Sequence, residues 1–274
     1  MSNVKIIHGD CMEAMKAMPD KAFEDKKQMV RKSNERSGFM EYKNYIQKTD
    51  FGKIKLYQAD CMEMLPQAPD KYYDLCICDP PYGIGKFTCD KHTDPVRGRV
   101  INIKTFSDDY TWNESTPENE YFEQLRRVSK ERIIWGANYY NCFENGNGAL
   151  VWYKGDMTKT ISHCEIASLS FQTKVSYVHL NWQSGFYREI KEGKQIHPCQ
   201  KPVDLYKWLL KNYAKPGDKI LDTHLGSGSS AIAAYEMGYD FTGFEIDAEY
   251  FAAAKERLDR HMRQGKLFQE AAES

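Results

Sequence analysis

One apolar run divides this chain. Tyr73-Asp74-Leu75-Cys76-Ile77-Cys78 is almost continuously apolar and stops at Asp79-Pro80-Pro81-Tyr82. Such a run reads as a buried strand, ended where two prolines forbid further pairing. Before it, Ile54 to Ala59 alternates like a strand, Asp60 ends it, and Cys61 to Leu65 reads as a short helix stopped by Pro66. After it, Thr116 to Ser129 places Tyr121, Phe122, Leu125 and Val128 at helical spacing. Runs at 132–135, 149–153, 165–171 and 175–180 then read as four strands. Pro202 stands at a helix start, and Val203 to Ala214 is helical in pattern, with Leu205, Trp208, Leu209 and Tyr213. Lys219 to Asp222 reads as a strand. A helix follows from about Ser230 to Met237, closed by Gly238, then a strand at 241–245 and a helix from Ala248 to about Met262. Strands alternating with helices predict an α/β fold with a mostly parallel sheet. Successive strands without helices predict an antiparallel portion at one edge.

The first part of the chain holds a repeat: Val4–Glu24 matches Ile54–Asp74 at a constant offset. Two copies fall short of a solenoid, which needs three or more stacked units. The first copy runs into the charged stretch 25–36, which has no buried strand. The pattern therefore predicts that 1–50 is a partial duplicate, loosely attached, that 51–265 is the working domain, and that 266–274 is a frayed tail.

Composition narrows the function classes. The chain has 274 residues, 41% of them apolar, and a formal net charge of −1, which argues against a protein that coats nucleic acid with uniform positive charge. No run is long enough to cross a bilayer. The eight cysteines include no C-x-x-C pair, so neither a zinc ribbon nor a redox motif is indicated, and no metal site is expected. The opening residues lack the apolar segment of a secretory signal, and a cytoplasmic protein with reduced thiols is expected. One local cationic stretch stands out: Lys86, Lys91, Arg97, Arg99 and Lys104 fall in a polar loop just after Tyr82. It suits a polyanion, whose phosphates position it on a protein, although a solvated surface loop has the same composition.

The candidate chemistry lies at strand ends. In open α/β sheets ligands bind just beyond the carboxyl ends of strands, where Asp79 is fixed by a Pro-Pro corner and followed by an aromatic. An Asp-Pro turn is the plainer reading of the same residues. Asp60 either caps the short helix after it or faces the same crevice. Strand, Asp222, Gly226-Ser227-Gly228, helix, strand and Glu245 form a nucleotide-binding βαβ layout, in which glycines admit the ligand and the acidic residue meets ribose hydroxyls. The third glycine of the dinucleotide fingerprint and the Lys-Ser/Thr of a phosphate loop are both missing. A nucleoside with a small polar tail fits better than a diphosphate.

Together, Asp79-Pro80-Pro81-Tyr82, Leu221-Asp222…Gly226-Ser227-Gly228-Ser229 and His197-Pro198-Cys199-Gln200-Lys201-Pro202 resemble the S-adenosylmethionine-dependent DNA amino-methyltransferases of the N6-adenine and N4-cytosine type. The catalytic motif precedes the glycine motif, which resembles the circularly permuted beta class. The resemblance covers roughly 54–262 and implies a Rossmann-like methyltransferase fold. It implies that Asp79 and the Pro80 carbonyl accept hydrogen bonds from the target amine and that Tyr82, after Pro81, stacks on a base flipped out of duplex DNA. For the cofactor it implies Asp222, Thr223, His224, Gly226, Ser227 and Gly228 near the methionine end and Glu245 with Ile246 at the ribose. Asp60 would lie near the adenine, and His197, Gln200 and Lys201 would close the site beside Asp79. Small target-recognition elements are expected within 86–112 and 136–196, and beta-class relatives are often dimers.

Two departures stand out. The family's glycine motif usually reads Asp-Pro-Phe, where this chain has Thr223 and His224; loss of the Phe implies either a missing aromatic contact and weaker cofactor binding, or His224 packing there as a planar substitute. Asp at position 79 implies adenine N6 as target, with cytosine N4 as the nearest alternative. A catalytically idle protein that binds S-adenosylmethionine or DNA is the reading from another class.

Overall fold

A computed structural model describes residues 40–85, 111–144, 146–155, 162–182 and 192–273, with side chains of the last helix described up to 264. The repeat copy at 1–39 and the cationic candidates Lys86, Lys91, Arg97, Arg99 and Lys104 lie outside the described residues. From Tyr42 onward the chain is one unit.

That unit is built on a nine-stranded sheet: β1 (Gln47–Phe51), β2 (Ile54–Gln58), β3 (Tyr73–Cys78), β4 (Ser129–Trp135), β5 (Ala149–Tyr153), β6 (Cys164–Leu169), β7 (Val175–His179), β8 (Lys219–Asp222) and β9 (Asp240–Glu245). The spatial order is β1-β2-β9-β8-β3-β4-β6-β5-β7. From β2 through β9, β8 and β3 to β4 every pairing is parallel. β6 runs antiparallel to both β4 and β5. The expected mostly parallel sheet with an antiparallel portion is thus present. β3 is buried along almost its whole length, Cys76 and Cys78 included, as a central parallel strand covered on both faces must be. The six described cysteines are free.

Among the described residues six helices pack with the sheet: α1 (Cys61–Met64), α2 (Asn119–Val128), α3 (Ala137–Tyr140), α4 (Val203–Tyr213), α5 (Ser229–Met237) and α6 (Ala248–Glu273). α2 buries Tyr121, Phe122, Leu125 and Val128, the stripe its sequence announces. No helix among the described residues is long and apolar enough to cross a membrane.

Two boundaries differ from the sequence pattern. The sheet begins at Gln47, ahead of the expected boundary at 51. A tight turn at Gly52, whose N–H donates to Asp50 Oδ1 over 2.9 Å, folds β1 back onto β2. Tyr42 is buried, its hydroxyl 2.6 Å from that of Tyr73. A half-exposed edge strand needs few apolar residues, so β1 carries a weak periodic signal. At the other end, α6 continues through Gly265 to Glu273, where a frayed tail is expected. Leu, Gln, Glu and Ala dominate those last residues, and they sustain a helix past one glycine.

The order of the sheet fixes the functional end. The chain leaves β8 toward β9 on one side and leaves β3 toward β4 on the other. The crevice between the carboxyl ends of β8 and β3 is therefore a topological switch point, where α/β sheets bind ligands. It brings together the residues following Cys78 and those following Asp222.

Candidate active site

A cavity of about 1050 Å³ opens at this switch point. One wall is Asp79, Pro80, Pro81 and Tyr82; another is Thr223, His224, Gly226 and Ser227; Asp60, Glu245, Ile246, His197 and Lys201 complete it among other residues. Three sequence motifs and two strand-end carboxylates thus share one space. The size is above the usual range for pockets that bury a drug-sized molecule.

At the β3 end the groups interlock. Asp79 Oδ1 accepts from the Tyr82 hydroxyl over 2.6 Å, and Asp79 Oδ2 pairs with the Lys201 ammonium. The Pro80 carbonyl accepts from the Tyr140 hydroxyl over 2.5 Å. Tyr82 stacks on Tyr139 with ring centroids 4.7 Å apart and planes 15° apart, and its N–H donates to Asn113 Oδ1. Gly136 makes this packing possible. A Cβ there would lie 2.4 Å from the Tyr82 ring, and its φ of +77° suits glycine.

Lys201 also meets Glu165 of β6: its Nζ is 3.0 Å from Glu165 Oε2, while Lys154 Nζ is 2.9 Å from Glu165 Oε1. Burial works against an ionised Glu165, but the two ammoniums outweigh it and hold the carboxyl down at about 2. Burial likewise pushes the Asp79 carboxyl up. Lys201 pulls against that push, Glu165 adds to it, and the balance remains raised. Burial disfavours the Lys201 ammonium, yet Asp79 and Glu165 overcompensate and raise it.

The glycine loop is held by carboxylates of its own. Asp222, 1% exposed, accepts from the His224 N–H over 3.0 Å and from the Ser230 hydroxyl over 2.6 Å. Burial pushes it up to about 7 despite both bonds. Glu245 at the end of β9 accepts from the N–H groups of Gly226 over 2.8 Å and Asp247 over 3.0 Å, and burial takes it to about 7 as well. His224 Nδ1 is 3.0 Å from Thr223 Oγ1, and its ring meets Tyr121 edge-on at 5.5 Å. It packs as a planar group, neutral because burial lowers it to about 4. His197 lies between Trp112 and Tyr250, with centroids at 5.4 and 4.4 Å, and burial followed by the Lys201 charge lowers it to about 3.

Three of the residues expected at the cofactor stand behind the cavity wall. Asp222 is spent on the loop it fastens. Gly228, with φ of +73°, lets the loop close on Ala254, which a Cβ would approach to 3.2 Å. Gln200 turns inward and accepts from the Ile196 N–H, bracing the segment that carries His197 and Lys201. Asp60 does both things open to it: its carboxylate caps α1 at the Met62 N–H over 2.8 Å and it lies in the cavity wall. The sequence pattern does not single out Glu165, Lys154, Tyr140, Trp112 or Asn113, which reach the site from β6, the end of β5, α3 and the turn at 111–113.

Comparison with known proteins points one way. A family model described as DNA methylase, of the N6 and N4 type, matches residues 151–256. The chain is 26% identical over 149 residues to the Type II methyltransferase M2.DpnII of Streptococcus pneumoniae, a match covering 54% of this chain and 49% of that protein. It is 25% identical to the Type II methyltransferase M.HpaI of Haemophilus parainfluenzae, covering 68% of each. The chain thus spans about half the length of the first relative and 68% of the second. Among solved structures, PvuII DNA methyltransferase (cytosine-N4-specific) superimposes with a TM-score of 0.52 at 12% identity, over 80% of this chain and 94% of that one. The likeness to that structure is one of fold.

Proposed function

We propose that this chain is a DNA methylase of the N6/N4 type and that it transfers the methyl group of S-adenosylmethionine to the exocyclic N6 amine of adenine in DNA. One observation carries the reading. Two hydrogen-bond acceptors, the Asp79 carboxylate and the Pro80 carbonyl, share one wall of the cavity with the Tyr82 ring, and the glycine loop and Glu245 line it as well.

The residues fit the cofactor on the chemistry of their groups. Glu245 offers carboxylate oxygens for a ribose diol, the loop at Gly226 and Ser227 admits a chain close to the backbone, and Ile246 with Tyr250 gives apolar surface beside them. S-adenosylmethionine supplies an electrophilic methyl on a sulfonium. An exocyclic amine is a weak nucleophile because its lone pair is delocalised into the ring. Asp79 and the Pro80 carbonyl, one on each amine hydrogen, favour the localised geometry and aim the lone pair. Positioning and fixed charge then do most of the work. Tyr82 supplies the stacking face for a base extruded from the duplex. Binding alone would not require an acceptor pair, which weighs against an idle protein.

Asp79 supports adenine over cytosine, since many cytosine enzymes of the family carry Ser there; the cytosine N4 amine is the same chemical group. The test is transfer of labelled methyl from S-adenosylmethionine to unmethylated DNA, with nucleoside analysis, for wild type and Asp79→Ala. N6-methyladenine from wild type and none from the variant is the expected result. N4-methylcytosine overturns the base assignment, and no transfer to any DNA overturns the reading.

A further inference from the structure

We propose that Glu165 is a positioning residue for this transfer: it holds the Lys201 ammonium between itself and Asp79, so that Lys201 cannot neutralise the carboxylate that receives the amine. The inference rests on the function proposed above and adds a residue outside its three motifs.

The geometry is an alternating row of charge. Asp79, Lys201, Glu165 and Lys154 follow one another in contact, two carboxylates and two ammoniums, with Lys201 and Lys154 only 4% and 7% exposed. Each member comes from a different part of the fold: the end of β3, the segment before α4, β6, and the residue after β5. A buried ammonium facing a single carboxylate would commit its hydrogens to it and draw off its charge. Here Glu165 takes a share, with its Oε2 3.0 Å from Lys201 Nζ. Lys154 in turn neutralises Glu165, so that the row balances.

The two carboxylates are driven apart. Against the penalty of burial, Lys201 and Lys154 keep Glu165 ionised with its carboxyl at about 2, whereas burial, with Glu165 adding to it, raises Asp79. Carboxyls of one site whose environments separate them in this way have separate jobs. Glu165 is the fixed anion, and Asp79 is the acceptor whose partners exchange. Among the described residues, the groups in contact with Asp79 or acting on it directly are Lys201, Tyr82 and Glu165. Asp222, Tyr140, Tyr206 and Cys199 feel its charge from β8, α3, α4 and the segment before it. Among them only Asp222 is a second carboxyl, and its own two hydrogen bonds fasten it elsewhere.

The experiment is single-turnover methyl transfer against pH for wild type, Glu165→Gln and Glu165→Asp, with dissociation constants for S-adenosylmethionine and DNA. Glu165→Gln keeps the shape and removes the charge. It should slow transfer by roughly 10- to 100-fold, the range that misplacement of a reacting group produces. The acid limb should move to lower pH, because Asp79 loses its negative neighbour. Both dissociation constants should hold within about twofold of wild type, and Glu165→Asp should recover part of the rate. A wild-type rate and limb in Glu165→Gln overturns the inference. So does a loss confined to the dissociation constants. Should Glu165→Gln not fold, Lys154→Met decides: among the described residues it leaves Lys201 as the one cation on Glu165, and the limb should move to higher pH, while an unmoved limb overturns the proposal. Wild-type protein without any transfer overturns the function itself, whereas an active wild type with an indifferent Glu165→Gln overturns only this inference.

Discussion

Replacing Asp222 by Asn should stabilise the chain, and by more as pH rises. Asp222 is 1% exposed at the end of β8, and burial lifts its carboxyl to about 7 against the bonds from Ser230 and the His224 N–H. In the unfolded chain the same group titrates near its ordinary value of about 3.9. The folded state therefore binds the proton more tightly. The contribution to stability is fully present below about pH 4 and is lost as pH rises through 7. A shift of about three units corresponds to about 4 kcal/mol once both states are ionised. Between pH 5 and pH 8 the part that changes is about 3 kcal/mol. Asn keeps an oxygen for the His224 N–H and presents an amide that the Ser230 hydroxyl can accept, and it never ionises. Glu245, which is also raised to about 7, titrates in both proteins; the Asp222 charge is one of the causes that raise it, so Asn also relieves Glu245 at high pH, which widens the gap in the same direction. Urea unfolding of both proteins, followed by circular dichroism at pH 5, 6, 7 and 8, reads that difference. A gap in unfolding free energy that widens by about 3 kcal/mol toward pH 8 is expected. A gap that stays constant or narrows as pH rises would refute the claim that Asp222 is held in the fold at the expense of its charge.

Two further substitutions test the packing around the site. Gly136→Ala places a methyl where the Tyr82 ring lies 2.4 Å away, at a φ of +77°, and should cost about 1–3 kcal/mol in thermal unfolding. It should also slow methyl transfer while leaving S-adenosylmethionine affinity close to wild type. Arg257→Met removes the guanidinium that donates to the Ser227 carbonyl, the Ser229 hydroxyl and Glu192 over 2.9, 2.9 and 2.7 Å. It strands a buried Glu192 and should lower unfolding free energy by about 3–5 kcal/mol, with cofactor affinity falling because the glycine loop loses its tether.

What the sequence disclosed and what it withheld divide along a physical line. Asp79, the glycine loop and Glu245 were legible because each sits in a short string whose geometry is local: an apolar run ended by prolines, a turn that only glycine fits, a carboxylate after the next run. Glu165 and Lys154 were not, since their place depends on how β6 registers against β4 and β5 against β6, set by side chains far apart in the chain. Asp222 shows the limit from the other side. Its position at a strand end was readable, but whether its carboxylate faced the cavity or the loop behind it depended on where the Ser230 hydroxyl fell. β1 carries little sequence signal because an edge strand is held by backbone pairing, which leaves little trace in side-chain pattern.

The strand order also dictates how this fold must be assembled. β2 and β3 are consecutive along the chain, yet in the sheet β9 and β8 stand between them. Synthesis produces the two outer members of this group first and the two inner ones more than a hundred residues later. In the finished sheet β2 and β3 stand about 14 Å apart, three strand spacings, and the strands that fill the space between them are made last. Closing it requires contacts between residues far apart in sequence, the kind that make folding slow and leave unpaired strand edges open to other chains. The cavity lies on that seam, so its walls meet only when the last strands enter. A fragment ending before Lys219 would carry Asp79-Pro80-Pro81-Tyr82 at the border of an unfilled slot.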